Sequence, residues 1–133
     1  MAPVTATALL VREGRVLLGR RTSTLRFAGM WDAFGGHLEP GETAEDALRR
    51  ELSEELGVEV TGARSLGEYE DVDPTSEETF HHHLFLVTGW QGEPRIANEE
   101  HSEIRWFRPS EVDGLDLMPR LKAAIREELA GNP

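Results

Sequence analysis

The stretch from Gly36 to Val58 constrains this chain more than any other, because it places a helix that has to carry acids on its inward side. Pro40-Gly41 marks a turn, Thr43 with Asp46 three residues later forms a capping arrangement, and Gly57 supplies a stop. The spacing predicts a helix from Ala44 to Leu56. At about 100° per residue, Ala44, Ala47, Leu48 and Leu52 form its apolar arc; Glu51 and Glu55 fall inside that arc and Glu54 borders it. Glu51 stands three and four residues before Glu54 and Glu55, so like charges are neighbours and repel, the more so when desolvated. Something cationic has to offset that repulsion. Magnesium and manganese take oxygen ligands, and carboxylates on successive helical turns supply them without rearranging the backbone. Gly35, Gly36 and Gly41 allow close backbone approach or positive φ, and a loop feeding a helix N-terminus offers free N–H groups to anions.

Composition agrees with that reading. The chain holds 14 Lys and Arg against 25 Asp and Glu, a formal charge of -11, which argues against a nucleic acid partner. The same excess repels a small anionic substrate unless bound cations reverse the local sign. Cysteine is absent, so disulfides, thiolate metal sites and a nucleophilic thiol are excluded. Met1 to Val11 has neither a basic leader nor a long apolar run, so a cytoplasmic protein with no membrane span is expected.

The order of elements reads strands, helix, strands, helix. Val4 to Arg12 and Arg15 to Arg21 form strands joined by a tight turn at Glu13-Gly14, Ser23 to Met30 is a loop, and Trp31 to Phe34 is a short extended stretch broken by Gly35-Gly36. Val58 to Asp71 is a strand with irregularities at Gly62 and Gly67, Asp73 to Ser76 a polar turn, Thr79 to Trp90 the clearest strand, and Glu103 to Phe107 another. From Pro119 to Ala130, Leu121, Ala124, Ile125 and Leu129 share one helical face, with Gly131 past its end. With no repeat and no long linker, residues 1–133 are expected to form a single domain with a mixed sheet and packed helices, of the α/β or α+β class.

An isolated Glu-rich stretch is ordinarily the solvated face of a helix. Here the spacing decides otherwise. From Gly36 the chain runs GHLEPGETAEDALRRELSEELGV: Gly, five residues, Glu, seven residues, Arg-Glu-aliphatic, one residue, Glu-Glu, one residue, Gly-aliphatic. This resembles the Nudix box at every defining position, and the flanking hairpin, the Glu100 region and the final helix also resemble the Nudix domain. The resemblance implies the Nudix α/β/α sandwich and hydrolysis of a nucleoside diphosphate linked to another group, with Mg2+ or Mn2+. It implies that Glu51, Glu54 and Glu55 bind metal and activate water, with the Gly35 carbonyl a further ligand, and that Arg50 orients a carboxylate by a bidentate contact. Phe34 stands where members of the family often have Pro. Isoprenoid diphosphate isomerisation also occurs on this fold, but the cysteine such enzymes use is absent.

Asn98 to Glu103 lies where nucleoside-triphosphate members commonly carry a fourth carboxylate; Glu100 is the choice, with Glu99 and Glu103 fitting almost as well. The general base stays open between Glu51, Glu54 and Glu100. Along a strand, His81, His82 and His83 alternate faces, so at most His81 and His83 share an ion; a strand facing solvent or a cleft is the plainer reading. Trp31 is a candidate for stacking on substrate, Arg20 and Arg21 for reaching phosphates, and Gly36 for approach to the ligand.

The expected activity is hydrolysis of a nucleoside triphosphate, oxidised ones included, to nucleoside monophosphate and pyrophosphate, by a monomer or homodimer. An ADP-ribose or nucleotide-sugar pyrophosphatase is the alternative, since Pro74, sixteen residues beyond Val58, is similar to the ADP-ribose group. A non-catalytic nucleotide-sensing module is the alternative of another class.

Overall fold

Glu13 and Gly14 both adopt positive φ, 53° and 75°, the two-residue turn whose twist suits antiparallel strands. They join β1 (Val4–Arg12) to β2 (Arg15–Arg21) in a computed structural model that describes residues 4–22, 29–72 and 76–130. The two strands stay paired only from Leu10↔Leu17 to Arg12↔Arg15 and then part. Beyond that point β1 takes β4 (Phe34–His37) as its antiparallel neighbour, while β2 takes β3 (Trp31–Asp32). This fork is what opens the middle of the sheet.

On its other edge β1 runs parallel to β6 (Thr79–Gln91), which pairs antiparallel with β5 (Glu59–Val72). The other edge of β2 carries β7 (His101–Phe107). The result is one seven-stranded mixed sheet, ordered β3-β2-β1-β6-β5, with β4 added to β1 and β7 to β2. Register shifts at Gly62 and between Ser65 and Gly67 fall where the glycines interrupt β5.

Strand alternation divides the core between the two faces of this sheet. Ala6, Ala8 and Leu10 of β1, with Leu17 and Phe34, meet Ala47, Leu48, Leu52 and Leu56 of α1 (Ala44–Leu56). On the opposite face Leu9, Val16, Leu18 and Phe107 meet Val112 of α2 (Pro109–Val112) and Leu121 and Ile125 of α3 (Pro119–Glu128). The expected sheet between helices is therefore present, in the α+β form, because β1–β6 is the parallel pair among antiparallel ones. Each fully buried leucine of α1 contributes about 2 kcal/mol of transfer free energy, enough to fix which side of the helix faces the sheet.

The helix limits match the sequence. Thr43 and Asp46 form the reciprocal capping box, and Gly57, at φ 67°, closes the C-terminus with its N–H donating to the Ser53 carbonyl. Other boundaries are corrected. Gly35-Gly36 does not break a strand but lies within β4, paired with Thr7 and Ala6. β7 starts at His101 rather than Glu103, and α2 is a helix that periodicity did not reveal. The loop from Ser23 and the turn at Asp73-Pro74-Thr75 lie outside the described residues, apart from Gly29, Met30 and Ser76. No helix among the described residues is long and apolar enough to cross a membrane.

The glycine at position 35 is dictated by this pairing. Its φ is 147°, and a Cβ there would sit 1.9 Å from the Ala6 carbonyl oxygen, a backbone atom that cannot move aside. Gly41 also has positive φ, 83°, yet a Cβ there meets nothing within 4 Å. Gly35→Ala is expected to cost at least about 3 kcal/mol of unfolding free energy, and Gly41→Ala about 1 kcal/mol. Urea denaturation of the two variants checks this; equal losses would show that the β1–β4 contact is not what requires glycine.

Candidate active site

Because α1 turns its apolar arc to the sheet, its acids are graded by depth. Glu55 is 2% exposed, Glu51 is half-buried and Glu54 is exposed. The Gly35 N–H donates to Glu55 Oε2 at 3.0 Å, so the strand that needs glycine also holds the deepest acid. Glu100, at the end of the loop before β7, meets the same carboxyl. Burial first, then Glu100 and Glu51, push Glu55 up to about 10. Burial also raises Glu51, although Arg50 opposes the shift. A Cβ on Gly36 would fall 2.5 Å from the Glu51 carboxyl, so that glycine, too, makes room for an acid.

Arg50 ties the helix to the preceding loop. Its Nε and Nη2 donate to the two oxygens of Glu42 at 2.8 and 3.0 Å, its Nη1 to Glu51 Oε1 at 2.8 Å, and its Nη2 also to the His37 carbonyl. The bidentate partner of Arg50 is therefore Glu42, which this contact holds down at about 2; Glu51 receives one bond. Glu54 Oε2 lies 3.6 Å from Arg50 Nη1.

Beside the acids opens a cavity of about 570 Å³, lined in part by Gly35, Gly36, Glu100, Arg21, Asp32, Trp31, Tyr69, Phe80 and His82. Glu100 thus belongs to both acid cluster and cavity. Arg21 and Arg20 point to opposite sides of β2. Arg21 lines the cavity and donates to Asp32 Oδ2 at 3.1 Å, whereas Arg20 bonds the Gly29 carbonyl and approaches Glu103 outside it. Trp31 forms part of the wall but is mostly core, packed edge-on against Phe107 at 4.9 Å.

His82 faces the cavity, with Nδ1 2.6 Å from the Thr5 hydroxyl and Nε2 3.4 Å from Asp71. His81 and His83 are engaged by Glu68 and Ser65 of β5. Among the described residues the group suited to a metal ion is instead Glu55, Glu100 and His101, whose donor atoms lie within 4.8 Å of one another. Sequence reasoning missed His101, Glu42 and Asp32. His101 sits beside a chosen acid and Glu42 precedes a cap, but only the fold shows what they meet.

The NUDIX domain family model matches residues 1–129. The chain belongs to the NUDIX family. A CTP pyrophosphohydrolase of Escherichia coli is 35% identical over 114 residues, 84% of this chain and 80% of that protein. An oxidized purine nucleoside triphosphate hydrolase of Mus musculus is 33% identical over 111 residues, 84% of this chain and 69% of that protein. The crystal structure of a MutT NUDIX hydrolase from Burkholderia pseudomallei aligns with a TM-score of 0.84 at 30% identity, covering 95% of this chain and 97% of that one. The chain is accordingly a MutT-like Nudix hydrolase.

Nudix hydrolases generally depend on a divalent metal, and this donor set fits one. The buried Glu55 carboxyl, pushed up to about 10 with Glu100 in contact, is ionised at neutral pH only if a cation is bound beside it.

Asp32 gives the site a separate pH signature. Burial raises it from 3.8 to about 6 against the opposing pull of Arg21 and the Ala33 N–H, with Asp71 adding to the rise. An acid whose folded pKa is raised holds its proton more tightly when folded, so stability falls as pH rises from about 4 to about 6. Asp32→Asn removes that slope. The stability of the variant relative to the parent should increase across this window in denaturation at pH 4, 5, 6 and 7; a flat difference would place Asp32 in an ordinary solvated setting.

Proposed function

We propose that this chain hydrolyses nucleoside triphosphates, oxidised ones included, to nucleoside monophosphate and pyrophosphate by breaking a P–O–P linkage. The observation that carries this reading is Glu100, which faces the cavity while touching Glu55 of the acid cluster, so a ligand filling the cavity has its polar end at the carboxylates. The volume, about 570 Å³, lies within the range of small-molecule sites. The activities in the names of the Escherichia coli and Mus musculus relatives support the same substrate class.

Glu51, Glu54, Glu55 and Glu100, with the Gly35 carbonyl, would hold divalent ions, Mg2+ or Mn2+. Ions bound there supply charge neutralisation for the polyphosphate and a lowered pKa for attacking water. The residues do the rest. Glu51 would take the proton from the attacking water: it is half-buried beside the cavity-lining Gly36 and aimed by its bond to Arg50. Arg50 holds Glu51 in position by anchoring itself on Glu42 and the His37 carbonyl. Tyr69, Phe80 and His82 line the cavity where the base would lie, Trp31 closes the wall behind, Gly36 keeps the approach to Glu51 clear, and Arg21 supplies a donor on the cavity side. Residues 1–133 act as one catalytic domain.

Glu51→Gln is expected to lower kcat about a hundred- to ten-thousandfold with a folded protein, since the amide keeps the shape and loses the base. Glu54→Gln and Glu55→Gln remove charge from the cluster and should abolish turnover as well. Nucleoside monophosphate formation with Mg2+ or Mn2+ is measured on nucleoside triphosphates, their oxidised forms, ADP-ribose, dinucleoside polyphosphates and nucleotide sugars, with pyrophosphate as the expected second product of the triphosphates alone. Preference for ADP-ribose or a sugar nucleotide would reject the substrate; full activity of Glu51→Gln would reject the base.

A further inference from the structure

We infer that His101 supplies a nitrogen ligand to the metal centre, alongside Glu55 and Glu100, and biases it toward ions that accept imidazole, Mn2+ before Mg2+. This rests on the metal reading of the carboxylates given above and extends it to a residue of a different chemistry. The His101 side chain is 5% exposed, and its Nδ1 lies 3.9 Å from Glu55 Oε1. That distance is too long for a hydrogen bond. It is, however, within the separation of about 3 to 4 Å between two donors that share one ion at metal–ligand distances near 2.1 Å.

The ring is positioned by shape. A Cβ on Gly19 would lie 2.5 Å from His101 Cδ2 and 2.8 Å from Cγ, so β2 has no side chain where the imidazole sits. Phe34 packs on it at an interplanar angle of 62°, with centroids 5.0 Å apart. A buried histidine of purely structural role normally spends its nitrogens on hydrogen bonds. Here Nε2 is buried and meets no hydrogen-bond partner among the described residues, so no hydrogen bond through that nitrogen fixes the ring and the polar approach it makes is that of Nδ1 to Glu55. The imidazole is therefore held by Gly19 and Phe34 with its Nδ1 turned to Glu55 and a ring nitrogen within 4.8 Å of a Glu100 oxygen, an arrangement that suits a ligand. Oxygen-only sites suit Mg2+ and Mn2+ alike; an added imidazole favours the first-row transition ions, of which Mn2+ is the weakest binder, over Mg2+.

The test is pulsed electron paramagnetic resonance on the full chain loaded with Mn2+, together with calorimetric titration of Mn2+ and Mg2+. The parent protein should show the hyperfine coupling of a directly bound 14N, and His101→Gln should lose it while still binding Mn2+. Mn2+ affinity should fall at least about tenfold in that variant, the scale on which changes in a metal's ligand environment act, with Mg2+ affinity changed less than about twofold. Should His101→Gln fail to fold, the spectrum of the parent alone decides. Bound Mn2+ without nitrogen coupling in the parent, coupling that persists in the variant, or equal losses for both ions would overturn the role of His101 and leave the carboxylate site standing. Failure of the parent to bind either ion would overturn both.

Discussion

The interaction on which the rest of the structure depends is the burial of Glu55 on the inward side of α1. A carboxyl that close to the sheet survives only where a backbone donor reaches it, and the Gly35 N–H provides that donor. Gly35 can approach because a side chain at its position would strike the Ala6 carbonyl, so the β1–β4 pairing and the acid are fixed by one another. The leucines flanking Glu55 on the helix set its depth. The fork between β1 and β2 follows from the same need: β4 occupies the place beside β1 that a longer hairpin would have filled.

Arg50 extends this constraint outward. Three of its donors reach Glu42, Glu51 and the His37 carbonyl, so the loop before the helix, the end of β4 and the second acid move as one piece. A lysine carries the charge but not the fork that spans two carboxylates. Preorganisation of this kind is worth more than a surface ion pair, because the Arg50 side chain is three-quarters shielded and the network is tied to backbone at the His37 carbonyl and, through Glu42, at the Glu39 N–H.

What could be read from the residues was what is local. The capping box at Thr43 and Asp46, the αL stop at Gly57 and the Glu13-Gly14 turn are each decided within a few residues, and each lies where the spacing put it. The depth order of Glu55, Glu51 and Glu54 also follows from helical angle. What stayed hidden depends on partners distant in the chain. Gly35-Gly36 reads as a break by local rules and is strand because β1 pairs with it; Asp32 is notable only once Arg21 of β2 stands beside it; His101 gains meaning from the space at Gly19. Arg20 and Arg21 are identical as letters, and strand alternation with the cavity on one side separates them.

Charge accounting at the site then explains why an acidic chain can accept an anion at all. The arginines near the acids are committed: Arg21 to Asp32, Arg50 to Glu42 and Glu51, and Arg49 to the Val60 carbonyl. Arg21 and Arg50 are matched by carboxylates, and Arg49 lies 4.0 Å from Glu45. A phosphate chain entering beside Glu51, Glu55 and Glu100 would meet carboxyl groups, with these three guanidinium groups already engaged. On the metal reading proposed above, cations taken up by those same carboxylates would supply the positive charge, making metal binding a precondition of substrate binding rather than an accessory to the chemical step.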